Sequence, residues 1–337
     1  MDVNLFGSIR LASLLAACAI ATGCAHDGAP RPAATLPPIA IHGNIQTFEI
    51  APVLLAADAH YPGHYPGGAT VKMGGIPNLF GEAAIPGYGS PGVADVATHA
   101  ETQALRYSVA HPDLRVILTV SEGFYRIVAR RSAGITKLAD LRGKRIAAVA
   151  NTSSGYFLNR MLASAGMTEA DVTLVPISPL SAMPKALADG TVDVVTVWEP
   201  EVENAAAAIG DDAIQFSDSH VYREIFGLNT TAANLADPEK RRRIVAFVRS
   251  VIAASTALRA DPAGAQALVS KSSGYDIGLV ERAWHHQGYP ATLVPDLLDM
   301  MVEEEKWLAA LDKRPARDRA TLATLIDGSV LEEARKP

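Results

Sequence analysis

Five groups of residues have the chemistry to hold a small molecule. Ser153 and Ser154 precede Gly155 and Tyr156 where a strand pattern gives way to a helix pattern. The first N–H groups of a helix have no internal partner and carry partial positive charge. Hydroxyls beside them complete a place for a sulfonate, carboxylate or phosphate, and Gly155 permits close backbone approach. The same spacing also suits a serine that merely caps the helix. Trp198 and Glu199 follow the apolar run Val192 to Val197 and are cut off by Pro200. In an open α/β sheet, ligands bind beyond the carboxyl ends of the strands. There an indole supplies a flat apolar wall and Glu199 can hold an amine; the competing reading is a core Trp closing a sheet edge. Further strand-end groups are Gln46, Thr47 and Phe48, then Thr98, His99 and Glu101, then Ser121 and Glu122. Amides and hydroxyls orient a ligand while aromatic rings supply contact area. His99, alone at a helix start, suits a structural hydrogen bond better than catalysis. His285 and His286 are adjacent in a helical pattern and point apart, so no shared metal is expected. No P-loop, dinucleotide fingerprint or nucleophile elbow occurs, so no catalytic residue, cofactor or metal is expected.

Strands alternate with helices, which implies parallel sheets with helices on their faces. Residues 39–128 read as one α/β unit and 129–228 as a second. From Pro238 onward the pattern turns helical, with stripes at Ile244, Val248, Val251 and at Leu297, Leu298, Met301. The first unit has too few helices to cover its own sheet. The tail, 229–337, is therefore expected to return to it across a hinge near Leu228 to Thr231. Strands are expected at Val93 to Ala97 and Ile225 to Thr231. Residues 74–92 hold so many glycines and prolines that no regular element is expected there; the loop is either a lid over a pocket or a surface decoration.

The chain has 337 residues, a net charge of −6 and 49% apolar residues, so it has a sizeable core and no basic surface for nucleic acid. Lys240 to Arg243 reads as a solvated helical face. The only cysteines are Cys18 and Cys24, which rules out thiol catalysis in the body. Arg10 followed by the apolar run Leu11 to Thr22 reads as an export signal, too short to span a membrane. Two cysteines compete as the lipidated residue of a bacterial lipoprotein. Cys18 has the better flanking residues, but Cys24 leaves the longer apolar core and is preferred; a plain secreted protein is the alternative. Ala25 to Pro38, rich in Ala and Pro, reads as a tether.

Four segments together resemble the SsuA/TauA/NMT1-like substrate-binding proteins of ABC importers. They are Asp140-Leu141-Arg142-Gly143-Lys144-Arg145-Ile146-Ala147, Ser153-Ser154-Gly155-Tyr156-Phe157-Leu158, Ala186-Leu187-Ala188-Asp189-Gly190-Thr191-Val192-Asp193 and Trp198-Glu199-Pro200. The resemblance implies a type II periplasmic binding protein: two lobes, a two-segment hinge, a helical C-terminal segment and ligand in the cleft. The resulting division is 1–24 as signal including lipidated Cys24, 25–38 as tether, 39–128 plus 229–337 as lobe 1 and 129–228 as lobe 2. It implies a small organic anion or zwitterion as ligand, with sulfonate, taurine and nitrate as the type. It also implies an ABC permease and ATPase as partners, a periplasmic location with a lipid anchor in the membrane, and no enzymatic activity. Gln46 to Phe48, Ser153, Ser154, Trp198 and Glu199 would contact the ligand. Thr98-His99-Ala100-Glu101 and the long 74–92 loop depart from the family pattern and alter one wall of the cleft. The alternatives are a same-fold enzyme related to the thiamine pyrimidine-precursor synthases, or a lipid-anchored sensor without a permease.

Overall fold

The computed structural model describes residues 38–61, 69–82 and 89–336. The export signal, Cys18, Cys24, the tether up to residue 37 and residues 83–88 of the glycine-rich loop lie outside the described residues. Among the described residues no helix is long and apolar enough to cross a membrane.

The strands are β1 (Ile39–Gly43), β2 (Ala69–Met73), β3 (Val96–Ala100), β4 (Leu114–Gly123), β5 (Ile127–Arg130), β6 (Arg145–Ala147), β7 (Thr173–Leu174), β8 (Val194–Thr196), β9 (Ala213–Phe216), β10 (Glu224–Thr231) and β11 (Gln287–Gly288). They form a six-stranded sheet in the order β11-β4-β10-β3-β1-β2 and a five-stranded sheet in the order β7-β6-β8-β5-β9. β1 is parallel to β2 and β3, while β10 is antiparallel to both β3 and β4. In the second sheet β6 is parallel to β7 and β8, and β5 is antiparallel to β8 and β9. The carboxyl ends of β1, β3 and β4 and the amino end of β10 therefore share one edge. The carboxyl ends of β6 and β8 and the amino end of β5 share another. The chain passes between the sheets at 124–126 and again at 217–223.

The early helices are α1 (Ala51–Leu55), α2 (Glu101–Ala110), α3 (Ser153–Ser164), α4 (Met183–Ala188) and α5 (Glu201–Ile209). The tail adds α6 (Ala232–Ala236), α7 (Pro238–Ala260), α8 (Ala263–Ser273), α9 (Ile277–Ala283), α10 (Leu297–Leu311), α11 (Arg319–Ala323) and α12 (Ser329–Ala334). α7 starts where Asp237 accepts from the Glu239 and Lys240 amides and Pro238 fills the first turn, which needs no N–H. Its stripe of Ile244, Val248 and Val251 packs with Ile41, Val96 and Leu118 of the first sheet. On the other face Leu297, Met301 and Leu308 of α10 pack with Leu105 and Val116. The tail thus covers the first sheet, as its helical stripes require. The second sheet carries its own cover: Phe157, Met161 and Leu162 of α3 on one face, and Leu187, Val202 and Ala205 on the other.

Four local expectations change. Strand β3 begins at Val96 rather than Val93, because Ala94 donates to the Asn78 carbonyl while the Asn78 amide holds the carbonyls of Ser90 and Gly92. That latch contains a 3₁₀ turn, Ile76–Phe80, in a stretch whose glycines and prolines suggest no element. β10 enters the first sheet at Glu224, so the return crossing precedes the expected hinge at Leu228 to Thr231, where Leu228 and Asn229 are paired on both sides and Thr230 and Thr231 with β4. The Lys240 to Arg243 run is not simply solvated: Lys240 donates to Asn234, Arg241 pairs with Glu333, Arg242 with Glu239 and Arg243 with Asp95.

Gly155 sits in the first turn of α3, and a Cβ there would collide with the backbone carbonyl of Ala150. A backbone atom cannot swing aside as a flexible side chain does. Gly155→Ala is expected to cost about 1–3 kcal/mol, the usual penalty for overpacking, and a thermal melt of the folded variant measures it.

Candidate functional site

The two strand edges face one another and meet in a buried polar centre. Glu49 follows β1, Ser121 lies near the end of β4 and Glu224 opens β10 opposite Gly123. From the second sheet come Tyr125, just before β5, and Ser153 at the head of α3. The Ser153 hydroxyl is 3.2 Å from Glu224 Oε1 and 3.0 Å from the Tyr125 hydroxyl. Ser121 donates to the Glu49 carbonyl at 2.8 Å. Gln287 of β11 places its amide nitrogen 3.5 Å from Glu49 Oε1. Glu49 and Glu224 are 2% and 4% exposed. Burial pushes both carboxyls above their usual range, and for Glu224 the Glu49 and Glu101 carboxyls add to the rise.

A second carboxyl pair lies beside the first. Glu101 opens α2 and Glu304 sits on the inner face of α10. The Tyr222 hydroxyl and the Ile225 amide both donate to Glu101. Burial raises Glu101 and Glu304, and the neighbouring Glu101 carboxyl lifts Glu304 further. The groups that act on these four glutamates are other carboxyls, tyrosines, hydroxyls and amides. Carboxyls gathered in one buried site oppose each other's ionisation.

Glu199 belongs to a third, compensated cluster. Arg126, 3% exposed, reaches Glu199 Oε1 with Nε at 3.0 Å and Nη2 at 2.7 Å. The same guanidinium reaches Glu203 at 2.6 Å and Gln215 at 2.7 Å. Burial pushes Glu199 up to about 7 against the pull of Arg126. Glu199 is therefore already engaged by a cation. Glu122 is likewise engaged, by Arg223, which also pairs with Asp296.

The other expected contact residues divide as follows. Ser154 donates to the Thr196 carbonyl and accepts from the Val149 amide, so its hydroxyl ties α3 to its own sheet. Ser153 and Tyr156 face the centre, Tyr156 against Tyr222 at 5.3 Å and Trp307 at 5.2 Å. Trp198 is half-buried between the two cores of the second sheet. Gln46 is exposed, while Thr47 is buried with its hydroxyl donating to the Asn44 carbonyl. Phe48 is wholly buried and packs near Trp284 and Leu258 rather than facing the centre. Thr98 lies against Gly43 and His99 against Gly75, so both stay inside the first lobe. Burial lowers His99 to about 4, with Arg106 adding to the effect, so its ring is neutral near pH 7. His285 and His286 lie in a 3₁₀ turn with ring centroids 3.9 Å apart, contrary to the helical expectation, since that turn is tighter than an α-helix. Among the described residues no group of three or more His, Cys, Asp or Glu is placed to hold a metal ion.

Contacts between the lobes lie on both flanks of the centre. Gln103 and Arg106 donate to the Asn151 carbonyl at 3.2 and 3.0 Å on one side. Tyr275 donates to Glu201 at 2.8 Å on the other. Beside Tyr156 and Tyr222 a cavity of about 230 Å³ opens, lined also by Arg160, His220, Arg223 and Met300.

Two α/β lobes, joined by two crossings and converging on one buried polar centre, are the two-lobe fold of the periplasmic binding proteins. The chain belongs to the NMT1/THI5-like family, which matches residues 84–265. Solved structures agree at the level of fold. The alkanesulfonate-binding protein SsuA from Xanthomonas axonopodis pv. citri, bound to MOPS, is 19% identical with a TM-score of 0.63, over 88% of this chain and 99% of that one. The periplasmic aliphatic sulphonate-binding protein SsuA from Escherichia coli is 15% identical with a TM-score of 0.66, over 85% and 92%. A cysteine-to-serine mutant of DSZB in complex with biphenyl-2-sulfinic acid is 14% identical with a TM-score of 0.60, over 89% and 99%; another structure of DSZB is described as a desulfurization enzyme. No curated protein sequence matches the chain significantly.

Proposed function

We propose that this protein is an exported solute receptor: it closes two lobes around a small organic solute and hands it to an ABC permease. The observation that carries the reading is the composition of the centre, where Glu49, Ser121 and Glu224 from one lobe meet Tyr125 and Ser153 from the other. A site split between lobes that are linked by two short crossings is read out by lobe closure. Lobe 1 comprises 39–128 and the tail from β10 onward, and lobe 2 the segment between the crossings. Lipidation at Cys24 and the Ala25 to Pro38 tether would hold the domain beside the membrane in the periplasm.

The test is a thermal-shift screen of the full chain against anionic, zwitterionic and cationic solutes. A ligand that binds only the folded state raises stability by RT ln(1 + [L]/Kd), about 2.7 kcal/mol at a hundredfold excess over Kd. At least one solute is expected to raise Tm by several degrees and, in small-angle scattering, to make the protein more compact. A screen without any such solute would overturn the receptor reading.

A same-fold enzyme is the second reading, supported by the likeness to DSZB. Residues 39–337 contain no cysteine, so such an enzyme would have to work without a thiol. Turnover of an aryl sulfinate by the purified chain would establish it.

A further inference from the structure

We propose that the solute is an organic cation, a protonated amine or amidinium, whose charged end is held between Glu49 and Glu224. The inference rests on the receptor reading above and names the solute class for the same site.

The central atoms left without a partner are overwhelmingly acceptors. Oε2 of Glu49 and Oε2 of Glu224 are buried and unpartnered. The Gln287 side chain, 8% exposed, has its Oε1 unpartnered while its nitrogen lies at Glu49. The Tyr289 hydroxyl, on a side chain 7% exposed, is also unpartnered, and Glu49 is the charged group acting on it. Gln287 thus adds a buried neutral acceptor beside the Glu49 carboxyl, and the Tyr289 hydroxyl is a further buried polar group within the electrostatic reach of Glu49. A buried acceptor left unmatched is costly, so a fitting group must bring several N–H donors.

Charge points the same way. Of the basic side chains near the cleft, Arg126 is committed to Glu199 and Glu203 and Arg223 to Glu122 and Asp296, while Arg160 lines the outer cavity beside Tyr156 and is not among the groups acting on Glu49 or Glu224. The Ser153 hydroxyl at the head of α3 lies against a carboxyl rather than in open cleft. A nitrate or sulfonate brought to this centre would meet carboxyls without a cation to offset them. Tyr125, 6.0 Å from Tyr222, adds an aromatic wall suited to a cation. A metal ion fits less well, since among the described residues no group of three or more His, Cys, Asp or Glu is placed to hold one. The Gly123 position limits size: a Cβ there would stand 2.9 Å from Glu224 Oε2 and 3.0 Å from the Tyr125 ring.

The test uses the full chain and five probes at equal ionic strength: benzylammonium, benzamidinium, benzenesulfonate, taurine and nitrate. A cationic probe is expected to raise Tm, and Glu224→Gln or Glu49→Gln to weaken its binding by roughly 30-fold or more, as for removal of one member of a buried charge pair. Circular dichroism verifies that each variant is folded, and two variants guard against the loss of either. If sulfonate or nitrate stabilises the wild type while both cations are silent, the cation assignment is wrong and the receptor reading stands. Cation binding unchanged in both folded variants also overturns the assignment. If neither these probes nor any solute of the wider screen shifts Tm, the receptor reading fails and the assignment with it.

Discussion

Arg126→Met is expected to lower stability by about 3–5 kcal/mol, the cost of breaking a buried pair by removing one partner. Arg126 and Glu199 side chains are each 4% exposed, so solvent screens little of their interaction. Without the guanidinium, Glu199 and Glu203 face each other across a desolvated gap at the head of α5. Glu199 is already lifted to about 7 by burial, and loss of Arg126 lifts it further. A folded-state pKa raised above the unfolded value gives stability that is present at low pH and lost as pH rises through the folded value. The deficit of the variant relative to wild type should therefore widen above pH 7. Urea unfolding at pH 6 and pH 8.5 measures this; equal deficits at both pH values would contradict the assignment of Arg126 as the compensating charge.

Glu304→Gln should act in the opposite direction and stabilise the protein at alkaline pH. Glu101 and Glu304 are both raised by burial, and their mutual contact raises Glu304 further. Wild-type stability without solute should thus be greatest near and below the ordinary carboxyl range, about pH 4–5, apart from other groups. It should decline as pH rises. Glutamine keeps a donor for Glu101 and cannot ionise. The gain at pH 8 is expected to be on the order of 1–3 kcal/mol, the cost of a buried unsatisfied polar group, and close to nil at pH 4.5. Guanidinium unfolding at the two pH values measures it. A variant less stable than wild type at pH 8 would show that Glu304 is not buried against a like charge.

Much of the fold is legible because it is written in local patterns. The stripes of α7 and α10, the Gly155 entry to α3 and the Val-rich β8 all follow short-range rules. The helix α5 is hard to see because its run of alanines carries little periodic contrast, and Pro200 reads as a stop although it also suits a helix start. The site is less legible. Ser153 is where the strand-to-helix junction puts it, but its hydroxyl faces a carboxyl contributed by a residue far along the chain. Glu304 lies in Glu303-Glu304-Glu305, which by itself looks like a solvated face. Glu303 is exposed, whereas Glu304 and Glu305 are buried, Glu304 beside Glu101 and Glu305 against Arg314 and Arg317. Arg126 sits at the lobe crossing, and its partners Glu199 and Glu203 stand at the head of that same inconspicuous helix. The one available signal is Glu224 at the mouth of an apolar strand, a carboxyl where burial is already evident. Charge at the centre depends on which distant carboxyls converge, and periodicity does not encode that.

The central claim is that one solute is gripped by both strand edges at once. Hydrogen–deuterium exchange, with and without the solute giving the largest thermal shift, tests it most directly. The expected result is simultaneous protection around residues 47–50, 121–126, 152–157 and 222–226. Protection confined to one sheet, or lying at a site away from Glu49 and Glu224, would contradict it.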